Sequence, residues 1–296
     1  MDDVQFIARN TELRASATQI NPPNDGLARI SHKEAYPSNE YVYTSYLGQG
    51  VDVYVLDSGI NTQHSDFDNR AEIYNFVKTE PDTDLYGHGT HVSGIIGGRT
   101  YGVAKKCNIK GVKILDRVGA GDAYVAIEAI HWVIQKASET GNPSIINLSL
   151  EGETNKGLND AIQLAYANGI AVIGAAGNSH RDACGYSPAS SPYAFAVGSI
   201  NRSNQIDAES NYGQCVRLFA PGDRIISTGN IGANSQLSYT GTSQAAPHVA
   251  GIAAIYLSQI DSLSPKNIYD LLVSKATPGI ISGSTYGSPN LVAYSL

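Results

Sequence analysis

The sequence predicts an α/β fold of three layers, a mostly parallel central sheet with helices on both faces. Three observations lead there. Short apolar runs alternate with longer small-residue or amphipathic stretches along the chain, the order that successive βαβ units require. The run Val51-Asp-Val-Tyr-Val-Leu-Asp57 is nearly continuous in apolar residues, as a central strand covered on both faces must be. The 296 residues, 42% of them hydrophobic, suffice for one large core, and 30 glycines suit a fold with many tight turns.

Taken in chain order, strands are expected at 51–57, 73–77, 109–115, 144–149, 170–175 and 194–199. Helices are expected at 87–97, 122–139, 156–168, 242–260 and 265–274. Gly169 stops the third helix before the strand that follows it. Ser264-Pro265 supplies a cap and a first-turn proline for the last helix. The formal net charge of −7, with no basic run, argues against a nucleic-acid partner. No stretch of about 18 apolar residues exists to span a membrane.

Three short motifs carry chemistry. Tyr239-Thr-Gly-Thr-Ser-Gln-Ala-Ala-Pro-His-Val-Ala-Gly251 places Ser243 at the start of an apolar helical run, near the positive end of the helix dipole. A serine is a poor nucleophile without a histidine base and a group to orient that base. Asp57 ends the central strand, where open α/β sheets place their sites, although a turn-capping role would also fit. In Gly87-His88-Gly-Thr-His91 a glycine-flanked histidine opens a helix of small residues. His88 and His91 are spaced like metal ligands on one helix face, but no third ligand follows at suitable spacing. His91 is therefore expected to pack behind His88, and no metal or cofactor is assigned.

In the order Asp57, His88, Ser243, the chain resembles the subtilisin-like serine proteases, in particular their proteinase K branch. Further landmarks extend the likeness from about Asn21 to Tyr294, among them Asn147-Leu-Ser-Leu150, Ala175-Ala-Gly-Asn178, Ser187-Pro-Ala-Ser190 and Phe219-Ala-Pro-Gly222. The resemblance implies a subtilisin-like fold and a serine endopeptidase acting through an acyl-enzyme. His88 would be the base, Asp57 its orienting carboxylate and Ser243 the nucleophile. The Asn178 amide and the Ser243 N–H would form the oxyanion hole. Polypeptide would bind extended between Gly119-Ala120-Gly121 and Ser149-Leu150-Glu151-Gly152. Ala175, Ala176 and Gly177 would line a roomy apolar pocket, giving broad specificity for apolar and aromatic residues. A monomer is expected.

The chain departs from the pattern in places. Glu151 stands where the family has glycine. It points to solvent, the preferred reading, or it narrows the cleft and attracts basic residues with help from Asp122. Gln244 follows the nucleophile where methionine is usual, and Met1 is the single methionine. The resemblance pairs Cys184 with Cys215 and leaves Cys107 as an inert thiol. A loop of that size stabilises by roughly 3 kcal/mol, and the bridge suits an extracellular, vacuolar or secretory-lumen setting. Arg217 replaces a calcium-binding aspartate. Its guanidinium would take the carbonyls of Pro192 and Ala194, so that the strong calcium site is expected to be lost. Residues 1–17 resemble the end of an inhibitory pro-domain, with a cut near Ser16 or Ala17, and residues 18–296 form the catalytic domain. A pro-domain or protein inhibitor is a further expected partner. The rival reading is a silent or self-blocked binding protein on the same fold. An esterase of the α/β-hydrolase type is excluded by the motif order and the missing Gly-x-Ser-x-Gly elbow.

Overall fold

A computed structural model describes residues 16–34, 38–260 and 262–296. The elements in chain order begin with β1 (Ser16–Ile20), α1 (Gly26–Ile30), β2 (Glu40–Thr44), β3 (Asp52–Asp57) and β4 (Ala71–Asn75). Next come α2 (His88–Gly97), β5 (Asn108–Lys113), α3 (Ala123–Thr140), β6 (Ser144–Leu148), β7 (Gly152–Glu153) and α4 (Lys156–Ala167). Then follow β8 (Ala171–Ala175), β9 (Tyr186–Ser187), β10 (Ala194–Ile200), β11 (Val216–Pro221), β12 (Ile225–Thr228) and β13 (Gln236–Tyr239). The chain closes with α5 (Thr242–Gln259), α6 (Pro265–Lys275), β14 (Thr277–Pro278) and β15 (Leu291–Val292).

Nine strands form the central sheet in the order β14-β15-β11-β10-β8-β6-β3-β5-β4. Every pairing in it is parallel except that of the edge strand β14 with β15. The period of two along each strand divides its side chains between two cores. Val53 and Val55 of β3, with Ala171 and Ile173 of β8, face a core built with α1, α2, α5 and α6. Tyr54, Leu56 and Val172 face the opposite core with α3 and α4. The three-layer expectation is met. The parallel strands are buried on both sides, which explains why they read as continuous apolar runs.

Helix α5 is buried from Thr242 to Leu257, so its sequence carries no polar face. Strand β4 begins at Ala71 and ends at Asn75, earlier than expected, because the Asn75 Oδ1 accepts the Val77 N–H at 2.8 Å and turns the chain. The hairpin β12–β13 and the strand β11 lie outside the expected elements. The first is short and mixed in polarity, and Pro221 masks the end of the second. The region assigned to the pro-domain remnant falls, up to residue 15, outside the described residues. Ser16 and Ala17 already belong to β1, antiparallel to Thr44 and Tyr43 of β2. Cys184 and Cys215 form a disulfide, and Cys107 is an unpaired buried thiol. Among the described residues, no helix is long and apolar enough to cross a membrane.

Candidate active site

Parallel strands deliver their ends to one edge of the sheet, where Asp57 and His88 are in contact and Ser243 is in contact with Ser149. Asp57 is the last residue of β3 and is fully buried. His88 is the first residue of α2, entered through Gly87 at φ 101°, a left-handed conformation that glycine adopts without steric cost. His88 Nδ1 lies 2.9 Å from both carboxylate oxygens of Asp57. Burial alone would lower the pKa of this imidazole. The Asp57 charge and hydrogen bond, with Asp84 behind them, outweigh that and raise it above the ordinary value.

A residue not singled out from the sequence organises this corner. The buried Asp84 carboxylate accepts the N–H groups of Tyr86 (3.1 Å), Gly87 (2.8 Å) and Thr90 (2.8 Å). It also accepts the hydroxyls of Ser58 at 2.9 Å and Thr90 at 2.6 Å. The start of α2, and with it His88, is thereby tied to the residue following Asp57. Below it, Lys113 of β5 is fully buried beside Asp57 in register. Its Nζ donates to Ser58 O and Leu115 O, each at 2.9 Å, and lies 3.0 Å from Glu80. His91 Nε2 lies 3.0 Å from Ile225 O and its ring packs on Tyr239, the supporting role expected of it.

Ser243 sits in the first turn of α5 and is clamped reciprocally to Ser149. Pro247 has no N–H to give the carbonyl four residues earlier, that of Ser243. Ser149 Oγ fills the gap, donating to Ser243 O at 2.9 Å, and Ser243 Oγ donates to Ser149 O at 3.1 Å. The hydroxyl thus rests on Ser149 rather than on His88. Asn178 follows β8, and its Oδ1 accepts the Thr242 N–H at 2.8 Å and the Thr242 hydroxyl at 3.0 Å. That fixes the amide orientation and leaves the Nδ2 donors for the cleft.

One cleft of ≈ 700 Å³ gathers His88, Gly119, Ala120, Gly121, Ser149, Leu150, Glu151, Gly152 and Asn178 among its walls. One expectation is corrected. Ala175, Ala176 and Gly177 do not line it; Ala175 and Ala176 are 1% and 0% exposed. Glu151 is exposed, yet its carboxylate is tethered rather than free. Its Oε1 accepts the Asn178 N–H at 2.9 Å and its Oε2 accepts from Asn211 Nδ2 at 3.4 Å. The cause is Gly177 at φ 106°, where a Cβ would lie 2.1 Å from Glu151 Oε2, so the missing side chain leaves the room the carboxylate takes.

Arg217 Nη2 donates to Pro192 O at 3.2 Å, as expected, but not to Ala194, which begins β10 in the sheet. Among the described residues, no group of three or more His, Cys, Asp or Glu side chains converges as a metal site.

This arrangement of parallel sheet, Asp–His pair and helix-borne serine is that of a serine hydrolase of the subtilisin type. The subtilase family (peptidase S8) matches residues 48–291, and the chain belongs to it as a serine endopeptidase. It is 42% identical to Subtilisin-like protease 1 of Pseudogymnoascus destructans, over 99% of this chain and 71% of that one. It is 42% identical to Alkaline serine exoprotease A of Vibrio alginolyticus, over 92% of this chain and 50% of that one. The chain therefore spans between half and about 71% of these relatives' lengths. The crystal structure of a cold adapted subtilisin-like serine proteinase superposes with a TM-score of 0.87 at 42% identity, covering 92% of this chain and 97% of that one.

Proposed function

We propose that the protein cleaves peptide bonds through Asp57, His88 and Ser243 with an acyl-enzyme intermediate. The observation that carries this is the buried Asp57 held against His88 Nδ1, which leaves Nε2 facing the cleft as a base. Ser243 Oγ leaves Ser149 O, gives its proton to Nε2 and attacks the substrate carbonyl. Asp57 fixes the tautomer and stabilises the imidazolium. The Asn178 Nδ2 and the Ser243 N–H receive the oxyanion, with the dipole of α5 behind the latter. Substrate lies extended between Gly119–Gly121 and Ser149–Gly152, backbone to backbone. The raised His88 pKa keeps the imidazole protonated further up the pH scale, so kcat/KM should fall on acidification with a midpoint above about 6.5.

Maturation by a cut near Ser16 or Ala17 would trim the start of β1 and leave Thr18–Ile20 to pair with β2. The disulfide supports an oxidising, extracellular or secretory-lumen setting, and Arg217 supports activity without calcium at that position. The enzyme acts as a monomer on this reading, and a pro-domain or protein inhibitor would occupy the same cleft. Hydrolysis of a peptide amide tests the mechanism. Ser243→Ala and His88→Ala should each lose at least about 10⁴-fold in kcat, and retention of a tenth of the activity by either variant would reject these roles.

A further inference from the structure

Given the serine-protease reading above, on which this inference rests, the placement of Glu151 bears on which substrates are taken. The Asn178 N–H and Asn211 Nδ2 hold its carboxylate over Gly177, and Asn211 is itself fully buried. Asn211 is in turn fixed by donating to Ala176 O at 2.9 Å and accepting the N–H groups of Ser179 and Arg181. The carboxylate therefore stands preorganised on the backbone N–H of Asn178, the residue that carries the proposed oxyanion donor, with Glu151 still exposed to the cleft. It occupies the space between the Ser149–Gly152 edge and Gly177 that a substrate side chain flanking the attacked carbonyl would enter. Asp122 and Glu153 also line the cleft, and among the described residues no lysine or arginine does.

We infer that Glu151 is the specificity-determining residue of the cleft, selecting a lysine or arginine at the position whose carbonyl Ser243 attacks. An apolar side chain entering here must desolvate the carboxylate or break its two hydrogen bonds, and either opposes binding. A cation leaves those hydrogen bonds intact, pairs with the oxygen lone pairs facing the cleft and offsets a negative charge near the developing oxyanion. This departs from the apolar and aromatic preference the sequence suggests.

The test uses peptide amides identical except for Arg, Lys, Phe, Leu or Ala before the scissile bond. They are assayed on the wild-type chain and on Glu151→Gln and Glu151→Gly, with rates normalised to the fraction titrated by a fluorophosphonate. The wild type should favour Arg and Lys over Phe in kcat/KM by about tenfold or more. E151Q should lose most of that ratio, and E151G should reverse it by opening the slot over Gly177. Wild-type preference for Phe, Leu or Ala, with normal titration, would overturn the inference and leave the protease reading standing. So would a uniform kcat loss in E151Q across all five substrates, which marks a mere tether for Asn178. Absence of both titration and hydrolysis would overturn the two together.

Discussion

Asn178 carries two separable duties, and its substitution should show both. Its Nδ2 is assigned to the oxyanion, while its Oδ1 accepts the N–H of Thr242, the first residue of α5, whose N-cap Gly241 offers no side chain. Replacing Asn178 by Ala removes one oxyanion donor, costing about 10²–10³ in kcat, or about 2.7–4 kcal/mol. It also strips the Thr242 N–H of its acceptor. Asn178 is only partly buried, so water can reach that group, and about 1 kcal/mol of stability should be lost, the low end for an unpaired donor. In a chain of this size that is about 2 °C in Tm. Asn178→Asp keeps the acceptor and adds charge at a helix N-terminus, so it should melt no lower than wild type while losing at least as much kcat. The backbone at 178 is held independently by Glu151, so KM should change little in Asn178→Ala. The assays are kcat and KM on a peptide amide with titrated enzyme, and calorimetric Tm. A kcat loss under tenfold, or an effect mainly on KM, would refute the oxyanion assignment. Asn178→Asp melting several degrees below Asn178→Ala would refute the capping role.

Acid should weaken the fold through two histidines held neutral. Burial pushes the pKa of His91 down to about 3 and that of His248 to about 4, so between these values and the unfolded value near 6.5 the unfolded chain binds more protons. Their stabilisation is complete above about pH 6.5 and is lost as pH falls, by about 2 kcal/mol each at pH 5. His88, shifted upward, acts oppositely: its contribution is complete below about 6.5 and fades as pH rises through its folded pKa. Tm measured from pH 7.5 to 5 should drop, and His248→Gln should make that slope shallower; an unchanged slope contradicts the argument. Asp84→Ala orphans three backbone N–H groups and two hydroxyls at the head of α2, and should lower stability by about 3–5 kcal/mol and Tm by on the order of 10 °C. A shift below about 2 °C in scanning calorimetry would reject its organising role. Activity should survive millimolar peroxide, because Gln244 follows Ser243 and burial pushes the Cys107 thiol up to about 12. Rapid inactivation with a mass gain at Cys107 would contradict this.

The central strands and long helices were legible because strands buried on both faces leave unbroken apolar runs, as in Val53 to Leu56. Asp57, His88 and Ser243 were legible because each stands at the end or start of an element, flanked by glycine or small residues. What the sequence hid depends on distant partners. Asp84 matters through Ser58 and Thr90, Lys113 through Glu80, and Pro247 through Ser149, and none of these pairings has a local pattern. Glu151 is the clearest case. As a lone glutamate beside glycine it reads as solvated, and it is exposed, yet the empty position at Gly177, distant in sequence, and the side chain of Asn211 hold its carboxylate in one place.

The most direct test is a fluorophosphonate label on the purified chain, read by intact mass and peptide mapping. Proteolysis through Ser243 predicts one adduct, on Ser243, on a chain shortened by about 16 residues if the proposed cut occurs, and none in His88→Ala. A folded, full-length chain that takes no label would contradict the account and favour a silent binding protein on this fold.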